Sequence, residues 1–194
     1  RTRSKKRELP PAQLQMVWPA GARPPRVRTP RGYRLRTYRR GDEAQYSRVM
    51  RGAGFGDFDR KRAGASAYRS LPGGLFFVEH RESGRIVATA IADHSPAALH
   101  PNAGQLGWVA GDPKHTGKRL GMVVCAAAVR RLLAAGYRDV YLLTDDWRLA
   151  AIKTYLKLGF VPYLCRRDMR KRWRDVHGKL GISAGEARWR RKQG

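Results

Sequence analysis

Val109-Ala110-Gly111-Asp112-Pro113-Lys114-His115-Thr116-Gly117-Lys118-Arg119-Leu120-Gly121 reads as the end of a strand, a basic loop containing glycine, and the start of a helix. Upstream, Gln105–Gly111 has the composition of a strand. Downstream, Leu120–Ala135 places apolar residues at 120, 123, 124, 127, 128 and 132, a helical period that stops at Gly136. This order suits a pyrophosphate. The N–H groups of a first helical turn have no partner within the helix, and the helix dipole adds partial positive charge there. Gly117 and Gly121 permit close approach of backbone and phosphate, and Lys118 and Arg119 add charge. No Gly-Lys-Ser/Thr triplet closes the loop, and the Gly-x-Gly-x-x-Gly pattern of dinucleotide sites is absent.

About thirty residues further on lies Ala151-Ile152-Lys153-Thr154-Tyr155-Leu156-Lys157-Leu158-Gly159-Phe160. A helix over about 147–158 puts Leu149, Ile152, Tyr155 and Leu156 on one face and ends at Gly159. Between the two segments, Val140–Leu143 is a short buried strand, and Phe160–Cys165 follows as another. Earlier in the chain, Tyr33, Leu35 and Thr37 alternate with arginines as a strand does. Gly41-Asp42-Glu43 opens a helix running to about Gly52, a second helix is expected over about 57–70, and Leu75–Glu79 with Arg85–Ala92 form a hairpin. Asp168–Leu180 reads as a basic helix. Residues 1–32, rich in Pro and Arg, show no period and are expected to be a tail or an extended arm, with order beginning near Tyr33. The pattern predicts one α/β (or α+β) domain over 33–166, a mixed central sheet flanked by helices, with a basic helix and tail over 167–194.

Taken together, in this order and spacing, the two segments resemble the GNAT N-acetyltransferase superfamily. The close resemblance covers about residues 103–165. The first segment is similar to the acetyl-CoA motif of that family, commonly Arg/Gln-x-x-Gly-x-Gly, and the second to its Ala-Ile-x-x-Tyr-x-x-x-Gly-Phe helix. The resemblance implies acetyl-CoA as co-substrate, without a metal, and transfer of an acetyl group to an amine whose identity the sequence leaves open. It assigns backbone contacts with the pantetheine arm to Val109, Ala110 and Gly111, and with pyrophosphate to Gly117, Lys118, Arg119, Leu120 and Gly121. Tyr155 falls where the family often keeps the acid that protonates the departing thiolate. Three positions depart from the pattern: Thr116 stands where Arg or Gln is common, Arg119 replaces a glycine, and Arg148 replaces an Asn. Gln105 lies where some relatives carry a glutamate base and cannot serve as one. Asp145, Asp146, Asp93, His94 and water remain as alternatives, with His115 a lesser one; Asp146 is also expected as the helix N-cap.

Composition bounds the rest. The 194 residues carry 41 Lys/Arg against 15 Asp/Glu, a net charge of +26. Residues 1–40 hold 13 of the cations with one acid, and 166–194 hold 11 with 3 acids. Such ends attract polyanions, RNA among them, and Trp18, Trp173 and Trp189 in basic stretches offer stacking surfaces, although Trp173 reads more readily as a helix anchor. A binding module with the same fold and lost catalysis is therefore the competing expectation. No apolar run is long enough to span a bilayer, no secretory segment is evident, and the two cysteines, Cys125 and Cys165, have no zinc-ligand spacing. A cytoplasmic protein with reduced thiols is expected.

Overall fold

The structure is a computed structural model that describes residues 12–183 and 189–191. The chain runs β1 (Leu14–Val17), β2 (Tyr33–Thr37), α1 (Glu43–Gly52), α2 (Arg60–Arg69), β3 (Ser70–His80), β4 (Arg85–His94) and β5 (Gly104–Gly111). A short turn of 3-10 helix at Pro113–His115 leads into α3 (Leu120–Ala134), followed by β6 (Val140–Thr144), α4 (Leu149–Leu158), β7 (Val161–Leu164), α5 (Met169–Leu180) and β8 (Arg190–Arg191). All eight strands join one mixed sheet in the order β2-β3-β4-β5-β6-β1-β7-β8. Pairing is antiparallel except for β5–β6 and β7–β8. The mixed α/β architecture expected from the sequence is the one observed.

Two large apolar cores form on opposite faces of the sheet, beside a smaller cluster of Val17, Ala103, Tyr141 and Tyr163. On one, α3 buries Val124, Ala128 and Leu132 against the sheet, and Ile152, Phe160 and Trp173 join the same cluster. On the other, Tyr46, Val49 and Met50 of α1 close over Phe77, Ile86 and Ile91, with Phe58 wedged alongside. Trp18 and Trp173 are buried, and Trp189 packs on His177 with ring centroids 4.8 Å apart. The stacking surfaces expected of these tryptophans are thus taken up by the protein's own core. No helix among the described residues is long and apolar enough to cross a membrane.

The largest departure from expectation is β1. Order does not begin at Tyr33: Leu14–Val17 fills the slot between β6 and β7, antiparallel to both, with Leu14 opposite Thr144 and Gln15 opposite Tyr163. Leu14 and Met16 are fully buried. Without this strand, β6 and β7 would face each other with unpaired backbone groups in the interior, which is costly. Further contacts fasten it. His100 lies flat on Tyr141 at 4.3 Å, its Nδ1 2.9 Å from Asp139 and its Nε2 3.2 Å from Gln15. Trp18 donates from its indole N–H to the Ala22 carbonyl at 3.0 Å and meets Phe160 edge-on. Smaller differences lie at element ends: β3 begins at Ser70 and α4 at Leu149. Residues 1–11 of the expected N-terminal tail, and 184–188 and 192–194 of the C-terminal one, lie outside the described residues.

A fully buried leucine on an interior strand predicts that Leu14→Ala destabilises the protein by about 2–5 kcal/mol. A denaturant titration checks this, and a midpoint equal to that of the wild type contradicts the placement of β1.

Candidate active site

The site starts from a break in the sheet. β5 and β6 share only two register pairs, Gly104 with Val140 and Gln105 with Tyr141, and then part. On its other side β5 carries a bulge against β4. Ile91 pairs with Gly107 and Thr89 with Ala110, so Trp108 and Val109 together oppose Ala90. Val109 thus has no register partner on either neighbouring strand. Trp108 sits at φ 45°, a left-handed conformation that bulky residues rarely adopt. Its ring is held edge-on by Phe55 at 5.7 Å and Phe58 at 5.1 Å, with the Arg62 guanidinium 5.4 Å from its centroid. Aromatic packing therefore offsets the backbone strain.

The parting opens two adjoining spaces. A groove of about 850 Å³ runs between the 109–121 segment and the start of α4. Seven of the eight positions expected to contact the co-substrate line it: Val109, Ala110, Gly111, Gly117, Arg119, Leu120 and Gly121. Lys118 does not, since its ammonium lies 5.7 Å from the Tyr33 ring centroid. At the helix start, Arg119 occupies the N-cap at φ 58° and offers no side-chain cap, and no acid stands in the first turn. The first N–H groups of α3 consequently keep their donor capacity. Arg119 adopts the left-handed conformation that a glycine takes without penalty, at a cost of about 1 kcal/mol. Its departure from the family pattern changes the residue and preserves the backbone shape. Asp112 accepts from the Lys114 N–H at 3.0 Å and pairs with Arg48 at 2.9 Å. Burial pushes the Asp112 carboxyl up, but Arg48 and the Lys114 N–H hold it below the usual carboxylate range. His115 also lines the groove; its Nδ1 is 2.8 Å from the Tyr33 hydroxyl and its ring packs on His80. Burial lowers its pKa from the ordinary value.

On the far side of Val109 lies a cavity of about 380 Å³, walled by Trp108, Phe55, Ile91 and Leu106 and by the polar groups Gln105, Asp93, Arg69, Asp145 and Arg148. Tyr155 lines it too and is 6% exposed. Burial raises the Tyr155 pKa well beyond the ordinary phenol value, so the hydroxyl stays protonated at any ordinary pH. Asp145 is engaged, accepting from Gln13 Nε2 at 3.1 Å and from Arg148 Nε at 3.2 Å. The Arg148 guanidinium lies over both Phe55 and Trp147, at 4.3 and 4.4 Å from their centroids. Asp146 is not the helix N-cap; Arg148 holds that position. The Asp146 carboxylate instead grips Arg172 of α5 through two bonds at 2.5 and 3.0 Å, which lowers its pKa. His94 is turned toward Tyr137, 2.8 Å from its hydroxyl. Asp93 faces the cavity beside Gln105, its register partner, and burial raises its pKa against the opposing pull of Arg69.

Residues 43–160 match the model of the acetyltransferase (GNAT) family. The chain belongs to that family. The match spans both segments and the strands between them. Solved structures agree on the fold. A GCN5-related N-acetyltransferase from Sphaerobacter thermophilus superposes with a TM-score of 0.61 at 19% identity, covering 78% of this chain and 49% of that one. One from Kribbella flavida gives 0.56 at 18%, covering 78% and 55%. The ribosomal-protein-S18-alanine N-acetyltransferase from Escherichia coli gives 0.53 at 20%, covering 66% and 76%. This GNAT chain therefore spans about half the length of the first two. A search of curated proteins finds no significant match.

Trp108→Val places a β-branched side chain at a positive φ and removes both aromatic contacts. It should cost roughly 2–4 kcal/mol, read as a lowered denaturant midpoint; an unchanged midpoint contradicts the strained bulge.

Proposed function

We propose that this GNAT protein transfers an acetyl group from acetyl-CoA to an amine held in the cavity, by direct attack. The observation that carries the reading is the pair of spaces meeting at Val109, with an uncapped helix N-terminus at the end of one and a buried phenol in the other. The groove suits acetyl-CoA. The N–H groups of Leu120 and Gly121, with Arg119 and the Gly117 turn, receive the pyrophosphate. Val109, Ala110 and Gly111 supply strand partners for the amide groups of the pantetheine arm. The N–H near Val109, left without a ladder partner by the bulge, stabilises the negative charge that develops on the thioester oxygen.

Proton traffic follows from the two walls. The acceptor arrives as an ammonium and must lose a proton before it attacks. Asp145 is already committed to Arg148 and Gln13, so we assign the base to Asp93, whose raised pKa brings it nearer the working range. The amine then forms the C–N bond as the C–S bond breaks. Tyr155 donates a proton to the leaving sulfur and is reprotonated by the second proton leaving the nitrogen. The net products are the acetylated amine, CoA as its thiol, and one released proton. The competing reading, a nucleic-acid module with lost catalysis, keeps only the net charge of +26 in its favour, since Trp18 and Trp173 are buried.

Gly117 stands at φ +82° with nothing within 4 Å of where a Cβ would lie. Gly117→Glu should therefore reduce acetyl-CoA affinity more than tenfold by bringing a carboxylate to the phosphates, as calorimetry measures; normal binding would place the pyrophosphate elsewhere. Tyr155→Phe keeps the ring that meets Phe160 edge-on and removes only the donor. General acid catalysis typically supplies about 10²–10⁴ in rate, so kcat should fall at least about tenfold with little change in the KM for acetyl-CoA. Turnover at the wild-type rate would assign the proton to solvent.

A further inference from the structure

The cavity also says what kind of amine it takes. Six charged side chains line it, Arg62, Arg69 and Arg148 against Asp57, Asp93 and Asp145, so in a strongly cationic protein this one wall is balanced. Four of the six neutralise one another: Arg62 pairs with Asp57, and Arg148 with Asp145 at 3.2 Å. That leaves Arg69 and Asp93. The Asp93 side chain makes no ion pair and no hydrogen bond to another side chain among the described residues, unlike every other acid there except Asp59, which caps α2. The two are close enough for Arg69 to oppose the upward pull of burial on the Asp93 carboxyl, yet form no direct bond within 4 Å. Backbone geometry fixes this relation. Arg69 is the last residue of α2, and Ser70, which follows it, is the register partner of Asp93.

We infer, resting on the acetyl-transfer reading above, that the acceptor is a small amino acid, its ammonium held at Asp93 and its carboxylate at Arg69. A carboxylate half-removed from water, held by the His94 backbone but by no cation in direct contact, seeks a cation, and a guanidinium beside it that is not bonded to it offers a planar fork to a second carboxylate. A zwitterion satisfies both at once. A monoamine leaves Arg69 unmatched, and a polyamine brings its second cation against the arginines. The size agrees. At about 380 Å³ the cavity lies near the low end of the roughly 300–1,000 Å³ of small-molecule sites. Phe55, Ile91, Leu106 and Trp108 provide an apolar wall for the acceptor's side chain. The arrangement also serves the chemistry, because the carboxylate that receives the ammonium is the one assigned to take its proton.

The test uses the full chain and pairs each amino acid of a panel with the amine formed by its decarboxylation, following CoA release with a thiol reagent. Free amino acids should be preferred by at least about tenfold in kcat/KM, a difference equivalent to about 1.4 kcal/mol. Arg69→Ala should collapse that ratio toward one by raising the amino acid KM at least about tenfold, while Arg69→Lys restores part of it. Asp93→Asn should lower kcat/KM for amino acids and amines alike and flatten the acid limb of the pH profile. Equal rates for amino acid and amine, or an Arg69→Ala ratio unchanged from wild type, overturn the proposal. Calorimetric titration of acetyl-CoA separates the two levels: if acetyl-CoA binds and no amino acid is accepted or bound, this inference fails alone; if acetyl-CoA does not bind, the acetyl-transfer reading fails with it.

Discussion

Everything functional in this molecule depends on two adjacent strands that stop pairing. β5 and β6 hold together through Gly104 and Gln105 and then separate. A parallel pair that parts inside a sheet exposes backbone groups that the interior cannot leave unmatched. The bulge at Trp108–Val109 adds to this, because it leaves Val109 without a register partner beside the opening. Once the strands diverge, the helix that follows β5 must begin at the mouth of the gap, which is why the uncapped start of α3 and the walls of α4 face each other across the groove. The cavity on the opposite side is closed by Phe55 and α2, whose aromatic and guanidinium contacts keep Trp108 in its strained conformation.

A sheet that parts at its centre needs its second half held from elsewhere, and the N-terminal segment does this. β1 stitches β6 to β7, and the same segment sends Gln13 to Asp145 and Gln15 to His100. Trp18 lies 3.3 Å from where a Cβ would project at Gly159, the residue that ends α4 at φ +119°. A larger residue at 159 would meet both the ring and an unfavourable backbone conformation. The Gly-Phe pair closing the second sequence segment is therefore explained by a partner more than 140 residues away.

That distance accounts for what the sequence hid. The 109–121 loop and the 149–160 helix were legible because strand end, loop and helix period are local signals, each complete within about a dozen residues. β1 was not, since Leu14-Gln15-Met16-Val17 is too short for a period, follows two prolines, and earns its place only through β6 and β7. For the same reason Gln13 is not legible as part of the site, and Trp18 reads as an exposed stacker because the arm around it shows no period, whereas Trp173 reads more readily as a helix anchor. Asp146 illustrates the converse: its position just before a helix suggested a cap, but a guanidinium arriving from α5 outcompeted the backbone N–H groups. In sequence Asp93 is one carboxylate among several, and only the pairing of Asp145 and Asp146 with arginines in the fold sets it apart.

Acids are scarce in this chain, 15 against 41 Lys/Arg, and their placement sorts the two sides of the cleft. Several hold arginines that lie partly out of water. Arg36 is gripped by Asp42 and Glu79, each at 2.7 Å, and Arg172 by Asp146 and Asp168. A cation withdrawn from water without such a partner would be strongly destabilising. On the groove, Asp112 is neutralised by Arg48, while Arg119, Lys153 and Lys157 line the walls, so the potential there is positive and suits an anionic ligand. On the cavity, cations and acids are equal in number. The long-range field of the molecule therefore draws phosphates toward one side of Val109 and confers no comparable advantage on the other, where recognition must rest on short-range pairing. The anionic donor and zwitterionic acceptor proposed above would then meet at one bulged strand without competing for the same walls.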